Sequence, residues 1–144
     1  MIQAKGKMAT VVRFHEGEDL LGGLAGLGLK AAAIVCGIGM VRDLVLGYWD
    51  GHRYIEERFS QPVELVALQG NVGESEQGKV VVHVHGVVGK EGGATVSGHL
   101  LAASVHNTAE VVVLPLRDVR MVRRGEPSGL TGLYPEVDPR ATAR

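Results

Sequence analysis

The feature that most constrains the fold is the stretch from Lys79 to Glu110, which carries three histidines on a hairpin pattern. It runs Val-Val-Val-His-Val-His after the lysine, breaks at residues 90–93, and returns through residues 97–101. β-Branched flanks around a glycine-containing break are typical of a β-hairpin. Because side chains alternate faces along a strand, His83 and His85 are expected to point the same way.

A third imidazole is expected on the same patch. A three-residue loop centred on Gly92 places His85 roughly opposite His99 on the returning strand, and directly opposed residues have Cβ atoms about 4.5–5.5 Å apart. Neutral imidazole is a common metal ligand, and three histidines leave a coordination position open for water. The same histidines can instead be polar residues on a half-exposed sheet face, so the pattern leaves both interpretations open.

Length and charge set the broad class. A chain of 144 residues favours one domain. The formal net charge of −1 gives no long-range attraction to a polyanion. The longest apolar stretches, residues 31–38 and 111–116, are far too short to span a membrane, and no apolar signal core follows the first residues. A cytoplasmic protein is expected, and the single cysteine, Cys36, excludes an internal disulfide.

The rest of the chain predicts support for this sheet. Acidic residues at Glu18 and Asp19 precede leucines at helical spacing, which predicts one main helix held against the sheet. The other apolar segments predict about eight or nine short strands, with interruptions at residues 37–39 and 107–108. The expected fold class is α+β with a largely antiparallel sheet. Residues 1–130 form the predicted domain, and residues 131–144, rich in proline and charge, form a loosely ordered tail.

Two sets of charged residues are candidates for function. Glu110 is the single carboxylate in an apolar strand, which makes it either an edge residue facing water or the partner of a buried group. It is the carboxylate expected near the histidines, where it would orient an imidazole or polarise a bound water. The one basic cluster is either a solvated strand edge or a nucleic-acid contact. Its members are Arg117, Arg120, Arg123 and Arg124.

Other chemistries find little support. The chain has no Gly-x-Ser-x-Gly nucleophile elbow, no Cys-x-x-Cys and no phosphate-cradling loop. Gly37-Ile38-Gly39 lacks the rest of the dinucleotide-binding fingerprint, and strand-like residues follow it.

The order of features resembles the PPC domain (plants and prokaryotes conserved). Residues 14–21, Phe-His-Glu-Gly-Glu-Asp-Leu-Leu, resemble the opening strand and helix of that family, and residues 31–39 its second strand and glycine bend. Residues 62–71 resemble its Glu-Leu-x-x-Leu-x-Gly-Asn strand. His83-Val84-His85, Gly98-His99-Leu100 and Ala109-Glu110-Val111 match its histidine hairpin and glutamate strand. The resemblance extends over residues 8–130.

The resemblance implies an antiparallel α/β fold, a homotrimer, and histidines of the His-x-His and Gly-His-Leu motifs that can hold a metal ion. Coordination by three nitrogens would suit zinc, so zinc is the expected ion. Prokaryotic members are usually considered DNA-binding by analogy with plant proteins that carry an Arg-Gly-Arg-Pro hook for the minor groove. This chain has Arg124-Gly125-Glu126-Pro127 instead, with an acid at the position of the second arginine.

Three functions therefore compete. The first is a trimeric protein that binds a metal ion or a small ligand at His83, His85 and His99. The second is a DNA-binding protein that uses the arginine cluster, for which weak binding is expected. The third is a metal-dependent hydrolase or lyase, so the sequence leaves open whether the protein is an enzyme.

Overall fold

The chain folds around one antiparallel-dominated sheet. In a computed structural model, which describes residues 1–141, nine strands join in this sheet. The strands are β1 Ile2–Lys5, β2 Thr10–His15, β3 Ala32–Trp49, β4 Tyr54–Phe59, β5 Val63–Ser75, β6 Val80–Gly89, β7 Thr95–Pro115, β8 Val119–Gly125 and β9 Thr131–Val137. A helix, α1, spans Leu20–Ala25, and a 3-10 turn spans Glu91–Gly93. Among these residues no helix is long and apolar enough to cross a bilayer.

Four strands close into a ring. The main order is β1-β2-β7-β3-β5-β8-β9, with β4 on β3, and β6 pairs with both β5 and β7. Strand β3 also pairs with both β5 and β7, so β3, β5, β6 and β7 enclose a common interior. All pairings are antiparallel except that between β5 and β8, which is parallel. Alternate side chains fill the interior, as in Val84 and Val88 of β6 and Val111 and Val113 of β7, all fully buried.

The helix is shorter than predicted, so the expected α+β class with one main helix becomes a nearly all-β fold. Asp19 caps the helix by accepting a hydrogen bond from the Leu21 amide at 3.1 Å. The helix is six residues long and ends at the cap residue Gly26. Leu20 and Leu24 are buried as the leucine spacing predicts. A Cβ on Gly23 would lie 2.3 Å from the Phe14 ring, so this glycine allows the helix to pack closely on β2.

Two predicted interruptions are bends within longer strands. Strand β3 runs through Gly37 and Gly39 with register shifts against β7, and β7 runs through Asn107, whose φ is 63°. Extra residues of this kind form β-bulges, which bend a strand without ending it. Each long strand can therefore pair with different neighbours on the two sides of its bend.

The predicted tail begins as a strand. Residues Thr131–Val137 form β9 and pair antiparallel with β8. The last part of that tail, residues 142–144, lies outside the described residues. The β8–β9 hairpin joins the sheet through Val122 and Arg123, which pair with Glu74 and Ser75 of β5.

Candidate metal centre

The predicted hairpin positions the three histidines. Strands β6 and β7 pair antiparallel across the turn, with His85 directly opposite His99. His83 and His85 share the outward face of β6, while Val84 between them is fully buried. On β7, Leu100 next to His99 is also buried. Valine and leucine packing on one face therefore holds the hairpin, and the imidazoles occupy the other face.

The three rings converge. The ring centroids of His83 and His99 are 4.9 Å apart, and each lies 5.3 Å from that of His85. One nitrogen from each ring can be chosen so that all three lie within 4.8 Å of one another. The Nε2 atoms of His83 and His85 are 3.3 Å apart. Two ligands at zinc–nitrogen distances of about 2.0–2.1 Å in a tetrahedral arrangement are separated by about 3.3–3.4 Å, so this pair already has a suitable spacing.

The electrostatics favour neutral, metal-binding imidazoles. Burial and then the nearby Arg123 lower the pKa of His83 from 6.5 to about 4. Burial, followed by the charges of His85 and Arg123, also lowers the pKa of His99. The buried Nδ1 of His99 has no hydrogen-bond partner among the described residues. A metal ion needs deprotonated imidazole nitrogens with free lone pairs, so the donor set fits such an ion.

An arginine contacts the histidine cluster from a different part of the sheet. Arg123 of β8 reaches the Nδ1 atom of His83 at 2.9 Å and donates to the Asn71 Oδ1 at 2.6 Å through the same Nη2 atom. A guanidinium only donates hydrogen bonds, so the Nδ1 of His83 accepts, and the proton of the neutral ring is on Nε2. In the metal-free protein this tautomer allows His83 to donate to the Nε2 of His85. A metal ion on the Nε2 of His83 would require the proton to move to Nδ1, which would end the hydrogen bond from Arg123.

A cavity of about 310 Å³ opens beside the cluster. Tyr54 stacks on His99, with ring centroids 5.1 Å apart and planes inclined by 18°. The cavity is lined by Tyr54, Val81, Val82, His83, His99, Arg123, Gly129, Leu130 and Thr131. None of these residues is acidic, and the β8–β9 hairpin supplies one wall.

The pKa of His83 predicts a loss of stability in mild acid. Because the pKa is about 4 in the folded metal-free protein and about 6.5 when unfolded, the unfolded chain binds the proton first as the pH falls. Stability is therefore full above about pH 6.5 and decreases towards pH 4. The free energy of unfolding should drop by up to about 2 kcal/mol between about pH 7 and about pH 5.

Chemical denaturation of the chelated protein at the two pH values measures this effect. The variant His83→Gln has no titrating ring at this position and should lose less stability over the same range. An equal loss in the variant and the parent would contradict the assignment to His83.

The other predicted site residues lie elsewhere. Glu110 is exposed, eleven positions after His99 on β7, and pairs with Arg13 of β2 and Ile38 of β3. At roughly 3.3 Å per residue, that separation puts it outside hydrogen-bonding reach of the histidines within one chain. It lines a separate cavity with Ile38 and Glu64. Within one chain the structure therefore does not bring Glu110 to the cluster.

Two of the four arginines in the cluster are engaged with carboxylates. Arg120 contacts Glu74 at 2.9 Å, and Arg124 contacts Glu136 at 2.6 Å. Arg117 is exposed, and within residues 1–141 it has no ion-pair partner. Arg123 is the member that reaches the histidines.

Sequence reasoning missed three neighbours of the cluster. Asn71 is the last residue of the strand pattern at residues 62–71, yet the structure pairs it with His83 inside β5 and β6. Tyr54 begins β4 and has no local pattern that marks it as a neighbour of His99. Arg123 was grouped with other arginines by spacing alone, although the buried positions Met121 and Val122 beside it mark a strand that enters the core.

Comparisons with known structures give the same fold. A plant- and prokaryote-conserved (PPC) protein from Pyrococcus horikoshii is 29% identical, with a TM-score of 0.81 over 95% of this chain and 96% of the other. A metal-containing protein from Archaeoglobus fulgidus is 32% identical, with a TM-score of 0.80 over 92% and 96%. A proposed DNA-binding protein from Bacteroides thetaiotaomicron is 25% identical, with a TM-score of 0.85 over 92% and 96%. Among curated proteins no match was found.

The family assignment follows from the sequence model of one domain. The model for the Plants and Prokaryotes Conserved (PCC) domain, the PPC domain named above, matches residues 1–117. These residues include all three histidines and exclude Arg123. The expected resemblance is confirmed, and the chain belongs to the Plants and Prokaryotes Conserved domain family.

Proposed function

We propose that this chain is a cytoplasmic, homotrimeric PPC-domain protein that holds a divalent metal ion at His83, His85 and His99 and offers it to a small ligand. The convergence of three imidazole nitrogens within 4.8 Å carries the proposal. The unpartnered, buried Nδ1 of His99 adds support, because a buried acceptor without a partner is costly. The related protein from Archaeoglobus fulgidus is described as metal-containing, which supports the same conclusion.

Zinc is the proposed ion. Three neutral imidazoles suit zinc, which accepts nitrogen ligands and adopts tetrahedral geometry with one position left for water or a ligand. When bound, such an ion supplies a Lewis acid and can activate a water molecule. This chemistry is compatible with a hydrolase or lyase, and turnover in a substrate screen that is lost on chelation would identify one.

Elemental analysis of the purified protein tests the proposal. We expect one zinc ion or related divalent ion per chain, recovered after chelation by adding zinc back. A protein that holds no metal before or after this reconstitution would contradict the metal site. The histidine patch would then be better explained as a site for a small ligand.

The trimeric part of the proposal is supported by an apolar outer face. Val11 of β2, Val35 and Ile38 of β3 and Val66 of β5 are each 50% or more exposed in the single chain. Ile38 and Val66 line the same cavity. Exposed apolar surface of this kind marks an interface, and closed symmetric rings are a common form of homo-oligomer. The number three comes from the family resemblance.

Introducing a charge on this face should dissociate the oligomer. In Ile38→Asp, assembly would bury a carboxylate without a partner, which is strongly unfavourable, so light scattering should give the mass of a monomer. Val137→Asp, at a position 65% exposed on β9, serves as the control and should retain the parental mass. A parent protein that is a stable monomer at micromolar concentration would contradict the proposal.

A DNA-binding function is the second candidate, favoured by the proposed DNA-binding protein from Bacteroides thetaiotaomicron. The net charge of −1 and the pairing of Arg120 and Arg124 with carboxylates argue for weak binding, since affinity for duplex DNA comes mainly from neutralised phosphates. At about 0.15 M salt we expect dissociation constants no tighter than the usual non-specific range of roughly 10⁻⁴–10⁻⁶ M. Sub-micromolar binding in a duplex titration would make DNA binding the leading function.

A further inference from the structure

Among residues 1–141, Arg123 is a buried positive charge without a carboxylate partner. The residue is only 7% exposed. Its contacts are the neutral atoms Asn71 Oδ1 at 2.6 Å, His83 Nδ1 at 2.9 Å and the Thr131 carbonyl oxygen at 3.4 Å. Its Nε is buried and has no acceptor among the described residues. The guanidinium therefore has an Nε donor without an acceptor and no counter-charge from residues 1–141.

The neighbouring arginines of β8 behave differently. Arg120 pairs with Glu74 and Glu136, and Arg124 pairs with Glu136, although both arginines are much more exposed than Arg123. The carboxylates of this region thus pair with the more exposed arginines, which keep more of their hydration. Arg123, which loses most of its hydration, is left to neutral acceptors.

This arrangement is energetically unfavourable without a further partner. Buried charges in proteins are normally paired, because the loss of hydration is large and neutral hydrogen bonds offset only part of it. Burial lowers the pKa of Arg123, yet an arginine side chain stays protonated at physiological pH. A bound anion would supply the missing charge.

The surrounding cavity selects for such an anion. Arg123, His83 and His99 line the same space of about 310 Å³, and no described lining residue is acidic. Its other walls include Val81, Leu130 and the stacked ring of Tyr54. A cavity at the lower end of the usual 300–1,000 Å³ range suits a small molecule with an anionic group and a short apolar part.

We propose that this cavity binds a small oxyanion, a carboxylate or phosphate group, which Arg123 holds beside the histidines. A guanidinium presents paired donors that match the geometry of both groups. The inference rests on the proposed metal function in one respect: a cation on the histidines would add positive charge and strengthen the preference for an anion. The anion and the metal ion can nevertheless be measured separately.

Titration calorimetry of the zinc-loaded and the metal-free protein with inorganic phosphate and with acetate tests the inference. At least one of the two anions should bind. Tighter binding of phosphate would indicate a phosphate ligand, and tighter binding of acetate would indicate a carboxylate ligand. Arg123→Gln should weaken binding about tenfold or more, since hydrogen bonds to charged groups contribute about 1.5–3 kcal/mol. Arg123→Lys should keep part of the affinity, because the charge remains and the paired donors are lost.

Arg58→Gln removes an equivalent charge from an exposed arginine of β4 that pairs with Glu56, and it should leave anion affinity unchanged. Cobalt substitution supplies a second readout, because an anion near the metal alters the visible absorption of the parent but not that of Arg123→Gln. Metal content is measured before each titration.

The outcomes separate the two proposals. A protein that retains metal but binds neither anion up to about 10 mM refutes the anion site and leaves the metal site standing. Equal anion affinity in Arg123→Gln and the parent also refutes it, and reduces Arg123 to a residue that orients His83. A protein without metal that binds an anion through Arg123 refutes the metal site and supports the anion site.

Discussion

Replacing His85 by alanine is expected to abolish metal retention while leaving the fold of the metal-free protein intact. His85 is exposed, whereas its neighbour Val84 is fully buried, so packing does not depend on the imidazole. Removing one of three ligands should cost more than the 10–100-fold loss in affinity that is usual for residues outside the coordination sphere. We therefore expect affinity to fall by more than about 100-fold.

Elemental analysis after dialysis against a weak chelator measures the metal, and denaturation of the chelated proteins measures the fold. The control is His52→Ala, which removes an exposed histidine in the turn between β3 and β4. It should retain metal like the parent. Full metal occupancy in His85→Ala would show that the ion is held elsewhere.

The second large effect is expected from Gly70→Ala, which should destabilise the protein by more than about 3 kcal/mol or prevent its folding. Gly70 of β5 pairs with Val84 of β6 and has a φ of 155°. A Cβ at this position would lie 2.1 Å from the His83 carbonyl oxygen and 2.7 Å from the Val84 Cα. Backbone atoms cannot move aside as a flexible side chain can, so β5 and β6 would have to separate.

The matched control is Gly86→Ala on the adjacent strand. A Cβ on Gly86 would lie 3.7 Å from the nearest atom, which is an ordinary van der Waals contact. We expect at most a small change in its thermal midpoint, and a clear drop for Gly70→Ala. Because β6 carries His83 and His85, any folded Gly70→Ala protein should also bind metal more weakly. Parental stability of Gly70→Ala would contradict the close approach of the two strands.

The histidine hairpin could be predicted from sequence because all its determinants are local. Alternation with period two decides the face on which His83 and His85 lie, and the short turn decides which residue stands opposite His85. The pairing of His85 with His99 follows from these two facts. No distant part of the chain is needed to bring the three rings together.

The contact between Arg123 and His83 could not be predicted in this way. It depends on the parallel pairing of β5 with β8, which joins residues almost 50 positions apart, and on the order of strands in the sheet. Spacing instead grouped Arg123 with its exposed neighbours. The prediction for Glu110 assumed that this residue lies near the histidines. Glu110 lies further along the same strand as His99, so the length of the strand separates the two residues.

The strand boundaries could not be predicted accurately, because the same residue types occur in turns and in bulges. Glycine and asparagine accept backbone angles that serve a turn as well as a bulge. Gly39 and Asn107 both have positive φ, yet each lies inside a continuous strand. Only the partners across the sheet decide between the two outcomes, so the sequence predicted shorter strands than the protein has.

The short parallel pairing between β8 and β5 joins two parts of the site that come from different regions of the chain. The histidines lie within the family match at residues 1–117, whereas Arg123 and the wall at Leu130 and Thr131 come from the hairpin beyond it. That hairpin pairs with β5 through Val122 and Arg123. Substitutions in the β8–β9 hairpin would therefore change one wall of the cavity while leaving the histidine hairpin in place. Chimeras that replace residues 119–137 with the matching segment of a relative would measure the effect of that wall on ligand binding.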